Sequence, residues 1–491
     1  MRYERYFGSL IALSIGLLAP VALGGAFART GADDRLEPAL QGQTAPGDVP
    51  GAVLATPYAK GVRLVGHHNL GDRGSNLQLA WIDHCAYISS TVQNMNLPGF
   101  EPNPKADKAT LGVAVLDVRN PRRPKQVGLL RERGAMFATE TMSAVAASGR
   151  KVLVAGAYGG GHKGASADDA AFLDIYDVSS CARPKHMSQY IWPENVHMVT
   201  VSPNGKRVYG TIIDPFTGAG GLIVLDISDL ANPRLIGKFA ATKADGSSFE
   251  FASHEVVFSP DERRIYAGVL AAKDGELKRN ANTPFPSMAA MGPESGGFLL
   301  LDNSDIVSGR ADPKMRVIGT APHAGWHSPA RAYIGGKPYI VNASELGACP
   351  GTWPKITDIS DEANPRIIGE FRLAMNHSEN CPPRTGMESA TKGVVGAAGT
   401  ATSHFNDVDS ATDTRLGLFT FMSAGLRIAD LRDPTKPVEV AYFKPGDPCL
   451  SHVRSVGRTG QIWVVCSRSG FYVLELDPKL RRTLGLPSHK L

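Results

Sequence analysis

The sequence predicts an all-β protein, a seven-bladed β-propeller closed by an N-terminal strand that pairs with the C-terminal blade. A short apolar run that ends in Asp, followed by a turn and a Pro, recurs along the chain. Between the copies lies a second unit, in which a polar turn joins two apolar runs. The 53 glycines and 34 prolines among 491 residues exceed average usage and indicate many turns.

The recurring unit has the chemistry of a strand, a turn and a second strand. Asp and Ser can bond the turn backbone, and Pro fixes φ where the next strand begins. The copies lie at 112–128, 171–187, 221–237, 297–306 with 313–319, 354–369, 425–441 and, truncated, 470–478. A spacing of about 45 to 75 residues matches four-stranded propeller blades better than a solenoid.

The last copy lacks one strand, because the C-terminal end at 452–477 supplies only three. The segment GVRLVG at 61–66 has the pattern of the other outer strands, so we expect it to complete blade seven and remove exposed sheet edges. The predicted organisation has four parts. They are a signal peptide at 1–28, an extended lead-in at 29–60, the propeller at 61–478 and a C-terminal tail at 479–491.

These repeats resemble the LVIVD-repeat proteins, a family of predicted β-propellers. The resemblance covers roughly 61–478 and implies the fold without implying an activity. The chain departs from the family pattern in its long insertions and in the fourth copy, which reads Asp302-Asn303-Ser304.

The first 28 residues predict export. Arg2 and Arg5 precede an apolar stretch, and Ala26 and Ala28 form a small-residue cleavage signal, so we expect cleavage after Ala28. A retained membrane anchor is the alternative, although Pro20 interrupts a stretch that is already short. We expect a periplasmic or extracellular mature chain without a membrane span. The net charge of +5 without a Lys/Arg run argues against a nucleic-acid partner.

The six cysteines are expected to form disulfides in that compartment. The expected pairs follow from the propeller face on which each cysteine lies: Cys349 with Cys381, Cys449 with Cys466, and Cys85 with Cys181.

Long connections are concentrated on one face of the predicted propeller. We call "top" the face at which each innermost strand begins. The long segments are 92–111, 159–170, 271–297, 343–354 and 372–403, nearly all on top. Long loops on a rigid scaffold commonly carry binding sites, so a small-molecule substrate or ligand is expected at this face.

Histidines recur at the top of the innermost strands. A large residue about twelve positions further along sets the register of each innermost strand. In this register, the innermost strand of five blades begins with a histidine. These are His197, His254, His327, His404 and His452. Blades one and two place Asn76 and either Glu140 or Thr141 near the same spot. Because innermost strands surround the axis, we expect the imidazoles to converge at the mouth of the central channel.

A ring of imidazoles predicts a transition-metal site. Four histidines could bind directly, and a fifth, or Glu140 or Glu255, could orient a ligand. Accessory candidates in loops of the same face are His67, His68, His323 and His377. Two other interpretations stay open, namely a structural ring bonded within each blade and a metal-free polar ligand site.

The segments NVHMVTVSPNGKRVY and HAGWHSPARAY look like the selenium-binding protein and methanethiol oxidase propellers. That resemblance implies channel histidines linked to copper and to thiol oxidation, although the selenium-associated cysteine has no counterpart here. We therefore expect a metal-dependent oxidoreductase, an oxidase or oxygenase acting on a small organic substrate, with copper favoured, iron next and zinc possible. The alternative is a non-enzymatic binding or interaction propeller that uses the long top-face loops.

Overall fold

A computed structural model shows a β-propeller of seven sheets, which confirms the predicted fold class. It describes residues 58–74, 76–90, 108–147, 149–156, 172–194, 196–213, 220–272, 296–323, 326–345, 353–373, 403–422, 424–457 and 459–486. The predicted signal peptide and nearly all of the lead-in lie outside the described residues, as do His377, Cys349 and Cys381. No helix among the described segments is long and apolar enough to cross a membrane.

Each blade contains a four-stranded antiparallel sheet, and only blade 7 takes its outermost strand from the N-terminal part of the chain. From the innermost strand outwards, blades 1 and 2 comprise Asn76–Ile82, Cys85–Ser90, Val113–Asp117 and Lys125–Leu130, then Met142–Ala147, Arg150–Gly156, Phe172–Asp177 and Lys185–Ile191. Blades 3 and 4 comprise Val199–Val201, Arg207–Ile213, Gly220–Asp226 and Arg234–Phe239, then Phe251–Phe258, Arg264–Ala272, Gly297–Asp302 and Met315–Pro322. Blades 5 to 7 comprise Trp326–Ile334, Lys337–Ser344, Lys355–Asp358 and Arg366–Glu370, then Asn406–Val408, Leu416–Thr420, Leu426–Asp430 and Val438–Lys444, then Arg454–Val456, Gln461–Cys466, Gly470–Leu476 and Val62–His68.

The described residues also form short strands and helices outside the four strands of each blade. Three small strands lie at outer edges: Tyr58–Lys60 on blade 6, and Ala241–Thr242 with Ser248–Phe249 on blade 4. The helical elements are Leu70–Asp72 and Lys108–Thr110, both 3-10, and the α-helices Arg133–Met136, Ser304–Val307 and Pro478–Thr483.

The repeated aspartate closes the turn after the third strand of every blade. Its carboxylate accepts a hydrogen bond from the backbone N–H two residues later, at 2.8–3.0 Å. The seven aspartates are Asp117, Asp177, Asp226, Asp302, Asp358, Asp430 and Asp477. The fourth copy therefore keeps the same turn despite its divergent sequence.

Glycines in the outer strands let neighbouring blades interlock. A Cβ atom at Gly66, Gly319 or Gly369 would lie 2.0–2.2 Å from a carbonyl oxygen in the turn of the next blade. Those oxygens belong to Pro121, Glu362 and Pro434. The glycine that ends many copies of the repeat is thus required by the close approach of backbone from the following copy.

The N-terminal strands join blades 6 and 7. Residues 58–60 pair with Val438–Lys444 of blade 6, and Val62–His68 pairs with Gly470–Leu476 of blade 7. Gly61 lies between them with φ +67°, and a Cβ there would meet atoms of blade 6 at 2.9 Å. The propeller therefore begins within the expected lead-in, at residue 58.

The C-terminal boundary also differs from the prediction. The helix Pro478–Thr483 begins at Asp477, whose side chain accepts hydrogen bonds from the N–H groups of Lys479 and Leu480. Leu480 and Leu484 are buried in a core cluster with residues of blades 6 and 7. Much of the expected tail is therefore packed structure, because its apolar side chains cover the sheets.

Two of the three expected disulfides lie among the described residues, and both are formed. Cys85 pairs with Cys181, which connects blades 1 and 2, and Cys449 pairs with Cys466 at blade 7. The third expected pair, Cys349 with Cys381, lies outside the described residues.

Candidate metal centre

One position recurs in all seven blades. It lies two residues before the point at which the innermost strand begins uninterrupted pairing with the second strand. We call this the lead position. Its occupants, from blade 1 to blade 7, are Leu77, Glu140, His197, His254, His327, His404 and His452. Glu140 rather than Thr141 is the blade 2 residue. Leu77 replaces the expected Asn76, whose side chain instead accepts a hydrogen bond from Arg73.

Four imidazoles from consecutive blades contact one another. The ring centroids lie 4.4 Å apart for His197 and His254, 3.4 Å for His254 and His327, and 4.6 Å for His327 and His404. His452 is separated from them by Phe405, whose ring centroid is 4.1 Å from that of His452 and 4.5 Å from that of His404. The predicted convergence thus holds for four histidines, and the fifth lies behind an aromatic ring.

Three glutamates face these rings. Glu140 Oε2 lies 3.7 Å from His197 Nε2 and 3.5 Å from His254 Nε2, while its Oε1 lies 3.3 Å from His404 Nε2. Glu345 lies 3.4 Å from His404 Nε2 and 3.2 Å from His327 Nε2.

The third glutamate, Glu255, pairs with His452, with 2.9 Å between carboxylate oxygen and Nε2. This distance is shorter than the 3.3–3.7 Å between Glu140 and its three histidines.

Glu345 is the site residue that the sequence did not predict. It directly follows the second strand of blade 5, Lys337–Ser344, whereas the repeat register identifies positions on innermost strands only. The available signal was topological, because second strands end on the face where innermost strands begin. A carboxylate at the end of a second strand therefore lies beside the lead histidine of the same blade, as Glu345 does beside His327.

Hydrogen bonds with the backbone fix the ring of His404 and the main chain at His254. His404 Nδ1 lies 2.6 Å from the carbonyl oxygen of Leu450, and since a carbonyl only accepts, Nδ1 carries a proton and Nε2 faces Glu140 and Glu345. The hydroxyl of Thr211 donates to the carbonyl of His254 at 2.9 Å. His254 Nδ1 and both ring nitrogens of His327 are buried without a hydrogen-bond partner among the described residues.

The residues of the cluster shift one another's pKa values. Burial raises the pKa of Glu140, but the positive charge of His404 and hydrogen bonds from His254 and His404 hold that pKa well below its usual range. Burial lowers the pKa of His404, yet Glu140 and Glu345 raise it to about 10. Burial lowers the pKa of His197 to about 4, which leaves this imidazole neutral.

The neutral His197 and the ionised Glu140 are in the form that binds a metal, whereas His404 is protonated. Neutral imidazoles and ionised carboxylates are the ligand forms, and a metal ion would compete with the proton on His404 Nε2. Glu140, His254, His327, Glu345 and His404 are all less than 9% exposed, so their charges interact strongly.

The spacing of donor atoms also fits a metal ion. Two ligands each about 2.1 Å from one ion are separated by about 3.0–3.4 Å at octahedral or tetrahedral angles. Three groups of side chains bring their ligand atoms within 4.8 Å of one another: Glu140 with His197 and His254, Glu140 with His327 and His404, and Glu345 with His254 and His327. Each group has two histidines and one glutamate.

Three accessory histidines are described, and none of them belongs to a group that contains Glu140 or Glu345. His67 and His68 belong to the outermost strand of blade 7 rather than to a loop, and His67 Nε2 lies 2.6 Å from the Ser469 carbonyl. His323 follows the outermost strand of blade 4 and lies 3.5 Å from Glu370. A further group, His84 with Cys85 and Cys181, has its two sulfurs bonded to each other.

A cavity of about 330 Å³ lies between blades 6 and 7, where its lining includes Asp409, Arg415 and Arg481. These residues are at the lower face, opposite the lead positions. The long top-face segments in which a ligand was expected lie mostly outside the described residues.

Fold and site together define a β-propeller with a central histidine–carboxylate cluster. The profile of the LVIVD repeat matches residues 217–241, in blade 3, which confirms the expected resemblance. No curated protein matches the sequence.

Three solved structures are similar at low sequence identity. The periplasmic gluconolactonase PpgL of Pseudomonas aeruginosa is 12% identical, with a TM-score of 0.47 over 75% of this chain and 89% of that chain. The β-propeller domain of Cps50 (Swd1) from Myceliophteria thermophila is 8% identical, with a TM-score of 0.49 over 82% and 97%. A hypothetical selenium-binding protein from Sulfolobus tokodaii is 13% identical, with a TM-score of 0.44 over 72% and 78%. Because these scores are below 0.5, the fold assignment rests on the strand pairing itself.

Proposed function

We propose that this protein is an exported, metal-dependent oxidoreductase that binds a transition metal in the propeller channel and acts on a small organic substrate. The convergence of four buried or nearly buried histidines with Glu140 and Glu345 supports the metal site. The resemblance of short segments to methanethiol oxidase propellers motivates redox chemistry rather than hydrolysis.

Donor chemistry favours iron as the first metal to test. Two histidines with one carboxylate are typical of non-haem iron, and every group in the cluster has that composition. Copper was favoured because of the resemblance to methanethiol oxidase propellers, and it becomes the second choice because carboxylates are harder ligands. Zinc remains third and would support hydrolysis instead.

The surrounding residues suit redox chemistry at a shielded centre. A bound redox-active metal would supply electron transfer, while the ring of Phe405 excludes water from one side of His327 and His404. Behind that ring, His452 and Glu255 share a hydrogen bond at 2.9 Å and can hold a proton near the centre.

Elemental analysis of the purified protein tests the metal site. We expect near-stoichiometric iron or copper in the wild-type chain and background levels in the double variant His254→Ala, His404→Ala. His186→Ala is the matched control, because His186 pairs with Asp174 in blade 2 and should leave the metal content unchanged. A wild-type chain that takes up no metal after reconstitution with Fe(II), Cu(II) or Zn(II) would contradict the proposal.

That negative outcome would favour a non-enzymatic binding propeller. Long connections join strand ends on one face, and a partner bound there would need no metal. In that case the glutamates and histidines would act as a structural network of ion pairs between blades.

Export is the remaining part of the proposal. Two disulfides among the described residues are consistent with an oxidising compartment. The intact mass of the mature protein should correspond to a chain that begins at Arg29.

A further inference from the structure

The two oxygens of Glu140 face different histidines. Oε2 is nearest to His197 and His254, at 3.7 and 3.5 Å, whereas Oε1 is 3.3 Å from His404. Glu345 shows the same division, with Oε1 3.4 Å from His404 and Oε2 3.2 Å from His327. The two oxygens of each carboxylate therefore face different imidazoles, which is the arrangement of a bridging ligand.

One metal ion cannot use all of these donors. Ligands bound to one ion at about 2.1 Å cannot be more than about 4.2 Å apart. The groups in which every ligand atom lies within 4.8 Å of the others contain only three residues each, among the residues that the structure describes. The first and second groups, which contain His197 with His254 and His327 with His404, have only Glu140 in common.

We propose that the centre is dinuclear, an inference that rests on the metal binding proposed above. His197, His254 and one oxygen of Glu140 hold the first ion. His327, His404 and the other oxygen of Glu140 hold the second, so that Glu140 bridges the two ions. Glu345 lies beside both histidines of the second ion, at 3.2 Å from His327 and 3.4 Å from His404.

The burial of the donors supports this arrangement. His327 is fully buried, and neither of its ring nitrogens has a hydrogen-bond partner among the described residues, although Nε2 lies near Glu345. A buried imidazole without such partners is costly, and coordination of a second ion removes that cost. Carboxylate-bridged pairs of ions typically lie about 3.5–4 Å apart, a separation that clamps two oxygens of one substrate.

A Co(II) titration of the metal-free full chain distinguishes the possibilities, with visible absorption and electron paramagnetic resonance as readouts. We expect two equivalents to bind, and the resonance signal per Co(II) to fall as the second one binds, because a bridged pair couples its spins. One equivalent with an undiminished signal would overturn the dinuclear inference and leave the proposed metal site standing. No uptake would overturn both, and two equivalents without loss of signal would exclude the bridge.

Three glutamine variants assign the ligands. Glu140→Gln should remove the spin coupling, and His404→Gln should reduce uptake to one equivalent. Glu255→Gln is the control, since Glu255 is equally buried but pairs with His452, and it should keep both equivalents. Thermal unfolding checks the folding of each variant. If Glu140→Gln does not fold, His404→Gln decides alone, and two equivalents in that folded variant would refute the assignment.

Discussion

One backbone position, repeated around the axis, determines which side chains meet in the channel. The lead position holds histidine in five blades, glutamate in blade 2 and leucine in blade 1. Leu77 packs against Met422 and Leu450 and contributes no donor. Six of the seven blades therefore supply the histidine–carboxylate chemistry, and Glu140 faces the lead histidines of blades 3, 4 and 6.

The pair of His452 and Glu255 should contribute to stability without contributing to metal binding. His452→Gln leaves a carboxylate that is 7% exposed without its partner, which should lower the free energy of unfolding by about 1–3 kcal/mol. Adding Glu255→Gln should recover part of that loss, as a coupled pair requires. Urea unfolding of the wild type, both single variants and the double variant measures the coupling. Metal content should stay at the wild-type level in all four, and its loss in His452→Gln would make His452 a ligand.

At this scale, the repeat register predicted the five lead histidines, and it did so without any knowledge of contacts. It could not predict Glu345, because that residue reaches the centre from a second strand whose end is fixed by the fold. It also could not show that Phe405 lies between His452 and the ring of His404, since Phe405 is one residue after a lead position and the register gives no contacts there.

At the scale of strands and turns, two features of the repeat have separate roles. The aspartate at the end of the third strand organises a turn within its own blade. The glycine of the fourth strand makes room for the corresponding turn of the next blade. The sequence thus encodes both the blade and its packing against a neighbour, which explains why the motif predicted the fold so directly.

Two glycines in equivalent outer strands allow a matched test of this packing. A Cβ at Gly369 would lie 2.0 Å from the carbonyl oxygen of Pro434, whereas the nearest atom to a Cβ at Gly128 belongs to Val115 and is 3.5 Å away. Gly369→Ala should therefore lower stability by about 1–3 kcal/mol, because the blades must separate. Gly128→Ala should be neutral or stabilising by up to about 1 kcal/mol. Thermal unfolding compares them, and equal effects would contradict the interlocking role.

The elements that the sequence did not predict are short and lie outside the repeat. Tyr58–Lys60 and the hairpin of Ala241–Thr242 with Ser248–Phe249 have two or three residues per strand. Segments of this length carry no periodicity of their own and form only because an outer blade edge offers hydrogen-bond partners.

At the scale of the whole molecule, the chain joins its two ends through sheet pairing. Residues 58–60 add to the edge of blade 6, Val62–His68 completes blade 7, and the helix Pro478–Thr483 packs its Leu480 against the same region. The disulfide between Cys85 and Cys181 connects blades 1 and 2. These contacts keep the innermost strands in a fixed ring, and the distances between donors in the channel depend on that ring.

Truncation at three points measures how much of this ring depends on the N-terminal strands. A chain that begins at residue 58 keeps every described pairing and should unfold like the full-length protein. A chain that begins at residue 61 loses only the three pairs with blade 6, so its unfolding temperature should fall by a few degrees. A chain that begins at residue 69 leaves Gly470–Leu476, all seven residues of which are buried, as an unpaired edge.

The third truncation should lose cooperative unfolding and aggregate. It should lose the channel metal as well, since the carbonyl of Leu450, between blades 6 and 7, holds the ring of His404. Calorimetry, light scattering and metal analysis of the three chains give the readouts. Cooperative unfolding with full metal content in the chain that begins at residue 69 would show that six complete blades hold the channel without closure of the seventh.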